Sequence, residues 1–295
     1  MVARGRWVLI TVAVLVFLSP PVQGQTGTEN NAGYIDSATL QNTLRLRLDL
    51  GYDNRAASRA EFIYPRAGLG RPGFPRPEPS VGLQELFLYG EHLLGERWSA
   101  FAEVPLRWIN PEINQNGAGL SDINAGFKYL LLSDDRSALT FQFRTYAPTG
   151  EGDRGLGTRH VTFEPALLGC RRFTERLNLE SELRLWVPVG GTQFAGNVIR
   201  SGLGVNYDLF RLGNVRVIPM LDLVSFTVLD GQVSQTLPSG RSLIRDAAGD
   251  FILDVKVGAR LRLGESADFY SGYGRPVTGD RWYENGYRFE FRLRF

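Results

Sequence analysis

The segment Tyr287-Arg288-Phe289-Glu290-Phe291-Arg292-Leu293-Arg294-Phe295 alternates apolar and charged side chains without a break. A β-strand places successive side chains on opposite faces. Tyr287, Phe289, Phe291, Leu293 and Phe295 therefore share one face, and Arg288, Glu290, Arg292 and Arg294 share the other. A helix would scatter the same rings around its circumference. A strand divided in this way separates an apolar surrounding from one that can solvate charge.

The same period of two recurs toward the N-terminus. Leu253, Val255, Val257, Ala259, Leu261 and Leu263 oppose Asp254, Lys256, Arg260 and Arg262. Leu179, Leu183, Leu185 and Val187 oppose Glu180, Glu182 and Arg184. Leu139, Phe141 and Phe143 oppose Gln142 and Arg144, while Ile123, Ala125, Phe127, Tyr129 and Leu131 oppose Asp122, Asn124 and Lys128. Trp98, Ala100, Ala102, Val104, Leu106 and Trp108 oppose Glu103 and Arg107. Leu44, Leu46, Leu48, Leu50 and Tyr52 oppose Arg45, Arg47 and Asp49. Weaker alternation at 81–91, 160–170, 198–207, 215–227 and 267–275 brings the total to about twelve strands, an even number, as bacterial single-chain barrels have.

The connections are sorted by length. Those near 92–97, 133–137, 171–176, 208–214 and 264–266 are short. Those near 53–80, 109–119, 148–159, 188–197 and 228–249 are longer and richer in Gly, Pro and Asn. Short turns at one end and long loops at the other are the pattern of an outer-membrane barrel. A soluble barrel with leucines inside would alternate equally well. Two features oppose it. About twelve strands enclose more space than small apolar side chains fill. Aromatic residues at Tyr52, Trp98, Trp108, Tyr146, Trp186, Tyr207 and Trp282 stand near strand ends, where an interfacial girdle belongs. The expected fold is all-β: a transmembrane, antiparallel, up-and-down β-barrel over 43–295, with short periplasmic turns and long extracellular loops.

A charge facing lipid at mid-membrane costs about 2–4 kcal/mol, so the charged rows must face the lumen. Parity assigns Arg45, Arg47, Asp49, Glu103, Arg107, Asp122, Lys128, Arg144, Glu180, Glu182, Arg184, Arg200, Asp254, Lys256 and Arg260 to a transport lining. Glu85, Glu164, Arg216, Asp222, Arg262, Arg288, Glu290, Arg292 and Arg294 fall on the same side. The outward row Tyr287, Phe291, Leu293 and Phe295 is similar to the terminal signal by which barrel-assembly machinery recognises its clients.

Residues 1–24 read as an export signal. Arg4 and Arg6 precede an apolar stretch from Trp7 to Leu18, and Val22-Gln23-Gly24 supplies the small-residue cleavage site. The apolar stretch is too short to span comfortably as a helix. Residues 25–42 are then expected as a periplasmic segment ahead of the barrel.

Mean hydropathy, at −0.15, is that of an ordinary soluble protein, so order rather than composition carries the membrane reading. Without Arg4 and Arg6 the basic count falls from 33 to 31, equal to the acidic count. Charge therefore gives no case for nucleic acid as a partner. The single cysteine, Cys170, forms no internal disulfide and no multi-cysteine metal site. No cofactor or metal is expected.

Gly119-Leu120-Ser121-Asp122-Ile123, followed by Gly126-Phe127-Lys128-Tyr129, resembles a strand of the outer-membrane transporter family linked to the MetA pathway of phenol degradation. Pro148-Thr149-Gly150 and Trp186-Val187-Pro188 are similar to the ends of later strands there. The resemblance implies an outer-membrane channel for small, partly hydrophobic compounds. Three other readings stand beside a water-filled pore for small solutes. The inward charges could pair into a plug. The Pro-rich stretch 53–80 could act as a lid or bind a partner at the surface. A lipid hydrolase would need a histidine within reach of a nucleophile. His92 lies in a short turn and His160 at the rim, both expected to be solvated.

Overall fold

A computed structural model describes residues 31, 33–54, 74, 76, 78–236 and 242–295. The expected export signal and most of the Pro-rich stretch lie outside the described residues. Twelve strands close into one ring: β1 (Thr43–Asn54), β2 (Val81–Leu93), β3 (Trp98–Pro111), β4 (Asn124–Ser133), β5 (Ser137–Tyr146) and β6 (Val161–Arg172), then β7 (Leu177–Val189), β8 (Val198–Tyr207), β9 (Val215–Val228), β10 (Phe251–Leu263), β11 (Ala267–Pro276) and β12 (Asn285–Arg294). Each pairs antiparallel with the next. The ring closes where β1 meets β12, from Thr43↔Arg294 to Tyr52↔Asn285. Closure leaves no edge strand, which matters in hydrocarbon because lipid offers the backbone no hydrogen-bond partner.

Burial follows the parity of the sequence. Along β3, Ser99, Phe101, Glu103, Pro105, Arg107 and Ile109 are buried, while Trp98, Val104, Leu106 and Trp108 are exposed. Around the outside, Leu44, Leu46, Leu88, Leu167, Val205, Leu221, Val257, Leu261, Phe269, Tyr287, Phe291 and Leu293 continue an exposed apolar belt. The buried residues on the opposite parity are chiefly charged. An apolar exterior around a charged interior is the arrangement lipid requires. It excludes the soluble barrel with leucines inside. Outward rings reinforce neighbouring strands across the ladder. Phe127 stacks on Phe143 at 5.9 Å between centroids, and Phe143 stacks on Phe163 at 5.8 Å.

Five details differ from the sequence reading. A bulge between Leu130 and Leu132 shifts the register, so Leu132 rather than Leu131 pairs with outward Leu139. The connection after β3 contains a short strand, Gly117–Leu120, that folds back onto the end of β3. Phe210–Leu212 pairs with β9 in one of the short turns, and the loop before β10 carries a hairpin of Gln232–Thr236 and Ser242–Asp246. Of the expected aromatic girdle, Tyr52, Trp98, Trp108 and Tyr207 are exposed, but Tyr146, Trp186 and Trp282 line the interior. Tyr146 and Trp186 share parity with Arg144 and Arg184, so strand geometry overrides their position near a strand end.

The connections sort by length as expected, with 94–97, 134–136, 173–176, 208–214 and 264–266 at the short-turn end. A charge placed in the outer belt tests its contact with lipid. Leu46→Arg should lower stability by about 2–4 kcal/mol in urea titrations of the protein folded into vesicles. An unchanged midpoint would mean that Leu46 does not face hydrocarbon.

Candidate functional site in the barrel lumen

The fifteen charged residues assigned inward by parity all lie inside the barrel, and acids and bases are interleaved. Near the short-turn end Arg260 joins further lumenal charges in a closed network. Asp268 bridges Arg260, Arg292 and Arg294, and Arg260 also reaches Glu290 at 3.0 Å. Arg45 lies 3.8 Å from Glu290, with its guanidinium over the Tyr89 ring. Lys128 pairs with Glu91 at 2.8 Å, and Glu91 also accepts hydrogen bonds from Ser99 and Tyr89. Neither Glu91 nor Asp268 was among the expected lumen residues, although Glu91 shares parity with Glu85 in β2 and Asp268 lies in β11. Asp122 departs from its expected place in a strand. It sits at the break between Leu120 and Asn124, where it accepts hydrogen bonds from the Gly150 amide and from the Thr158 amide and hydroxyl.

The largest departure concerns the segment expected to lie in the periplasm. From residue 31 to residue 42 the described chain runs inside the barrel. It leaves the start of β1 at the short-turn end, where the Leu93 amide donates to Asn42. It rises past Thr140, whose hydroxyl donates to the Ala38 carbonyl at 2.5 Å. At mid-barrel it turns at Tyr34–Asp36 and comes back down to Asn31. There the Asn31 amide donates to Glu180 and its side chain to Asn206, both close to the short-turn ends of β7 and β8. The segment is thus an arch with both legs toward one end.

Wall side chains hold this arch, with no ladder partner. The Tyr34 amide donates to Asp222 at 3.0 Å, and the Asp36 amide donates to Glu182 at 3.2 Å. Arg200 donates to the Tyr34 carbonyl at 2.6 Å, and Arg288 donates to the Gly33 carbonyl at 3.0 Å. The Asp36 carboxylate lies between Arg144, at 2.7 Å, and Arg184, at 2.8 Å. The Tyr34 ring lies between two cations, with the Arg288 guanidinium 4.2 Å and the Lys256 ammonium 4.3 Å from its centroid. Inward glycines make room for the arch. A Cβ on Gly202 would come within 3.1 Å of Ile35, and one on Gly204 within 3.0 Å.

Above the arch, toward the long loops, the lumen opens into a chamber of about 310 Å³. Tyr34 and Asp36 belong to its lining, so the arch is its floor. One wall is aromatic. Trp186 stacks on Trp282 at 6.2 Å with the rings 18° apart, and Phe226 lies 4.7 Å from Trp282. Positive charge on the lining from Arg47, Arg107, Arg144, Arg200, Lys256 and Arg288 is nearly balanced by Asp36, Asp49, Glu85, Glu103 and Asp122.

His160 does not sit as a solvated rim residue. It is buried, and its Nδ1 donates to the Thr158 carbonyl oxygen at 3.0 Å. His92 is exposed near the short-turn end. Among the described residues no group of His, Cys, Asp and Glu is arranged to hold a metal ion.

No family model matches the chain. No curated protein matches it either. Solved structures do. The COG4313 outer membrane channel from Pseudomonas putida F1 superposes with a TM-score of 0.56 at 12% identity, over 90% of this chain and 100% of that one. The chain has the fold of solved outer-membrane barrels. The β-domain of the Bordetella autotransporter Brka gives a TM-score of 0.50 at 15% identity, over 86% and 100% of the two chains. The KdgM porin gives 0.47 at 11% identity, over 86% and 99%. At these identities it is the fold that is shared.

Two substitutions test the site as described. Asp268→Asn removes the charge that three guanidiniums share, and breaking a buried ion pair from one side costs about 3–5 kcal/mol. The folded form should then be lost at lower urea, read as heat-modifiable migration on a gel. Gly204→Leu should crowd Ile35 off the wall. A spin label on residue 35 should gain mobility in that variant, and unaltered mobility would contradict the packing.

Proposed function

We propose that this protein is an outer-membrane channel for passive uptake of small solutes, with its conductance set by the arch at residues 31–42. The observation that carries this reading is the chamber, which opens toward the long loops and is floored by a segment that belongs to no strand. Support comes from the apolar belt and from the fold shared with a solved outer-membrane channel. The aromatic wall of Trp186, Phe226 and Trp282 favours solutes that carry a ring. The inward charges Arg47, Asp49, Glu103, Arg144, Arg200 and Lys256 line the path such a solute would take, and the long loops would face the cell exterior.

The packed network around Asp268 favours a second reading, a barrel plugged for rigidity. Conductance in planar bilayers separates the two. A channel limited by the arch should show small unitary steps that grow several-fold, and so by less than about 1.4 kcal/mol in barrier terms, when residues 31–38 are deleted. Silence of both folded proteins would overturn the channel and leave the plug.

A further inference from the structure

The tip of the arch presents two chemical groups to the wall, and both are held by cations. One is an aromatic ring, Tyr34, between Arg288 and Lys256. The other, two residues on, is a carboxylate, Asp36, between Arg144 and Arg184. We infer that this mid-lumen seat is a binding site for small aromatic carboxylates and that Tyr34 and Asp36 occupy it as a tethered competitor. The inference names the solute class of the channel proposed above and rests on that reading.

Three features support exchange between the arch and a solute. First, the Tyr34 ring and the Asp36 carboxylate meet cations of the wall rather than a strand ladder, so a free aromatic carboxylate can replace those contacts. Secondly, the two guanidiniums differ in what they keep when Asp36 leaves. Arg184 retains Glu164 and Glu182, both at 2.6 Å. Arg144 retains Glu164 only at 3.8 Å, with the Tyr146 hydroxyl at 3.2 Å. An Arg144 without Asp36 is left with one distant acid, and a carboxylate from solution can bind it bidentately. Thirdly, Asp36 and Arg144 both face the chamber, so a solute arriving from the long-loop side meets this pair directly. The stacked Trp186 and Trp282 stand beside it and accept a flat ring.

Tryptophan fluorescence of the detergent-folded protein, titrated with benzoate, benzyl alcohol and acetate, tests the inference. Benzoate should bind, and benzyl alcohol and acetate should each bind at least about tenfold more weakly, because each lacks one of the two groups. Asp36→Asn removes the competitor's charge while keeping its size. It should tighten benzoate about tenfold, since apparent affinity rises with the fraction of sites left open. Arg144→Gln should weaken benzoate, and heat-modifiable migration reports whether each variant is folded. Equal binding of benzyl alcohol and benzoate, or an Asp36→Asn variant no tighter than the parent, would overturn the inference. Conductance on the same preparations separates the two proposals. A protein that conducts but ignores benzoate loses this site and keeps the channel. One that binds benzoate as described, yet never conducts even without residues 31–38, keeps the site and loses the channel.

Discussion

Hydrocarbon tolerates neither an unpaired peptide group nor an unpaired charge, and the rest of this molecule depends on that constraint. The first prohibition closes the sheet, with β12 returning to β1. The second sorts the side chains. Once every other residue must be apolar, the charges of twelve strands are brought into one narrow space. They cannot stand there singly, because an isolated charge away from bulk water is expensive. Acids and bases therefore meet across the strands, as Asp268 does with Arg260, Arg292 and Arg294.

The arch is a response to the same crowding. At mid-barrel the wall carries more donors and acceptors than its own strands satisfy. Residues 31–42 supply amides to Glu180, Asp222 and Glu182, and carbonyls to Arg200 and Arg288. The inward glycines of β8 make the complementary concession in volume. A strand whose lumenal positions were all long side chains would leave Ile35 nowhere to lie.

The barrel was legible in the sequence because period two is a local signal. Each strand declares its two faces in about ten residues, and the pairing of charges across strands follows from those faces. Leu131 shows where the signal weakens, since a single bulged residue reverses parity and nothing in the run Leu130-Leu131-Leu132 marks which leucine is extra. Trp186 shows a conflict between two rules. Its nearness to a strand end suggested an interface, its parity with Arg184 placed it in the lumen, and parity prevailed. The arch was not legible at all. Tyr34, Ile35 and Asp36 show no period, and their partners lie more than a hundred residues away on the far wall. Long-range contacts made by an irregular segment leave no local trace.

The arch also has a topological property. Both of its legs point to the same end of the barrel, so leaving the lumen would not require a chain end to thread through the chamber. It would withdraw as a bight of rope does. The tether at Asn42 remains through such a motion, since β1 stays in the ring. A departing segment would thus never be diluted into bulk, and would compete for its seat at the high local concentration of a group on a short leash.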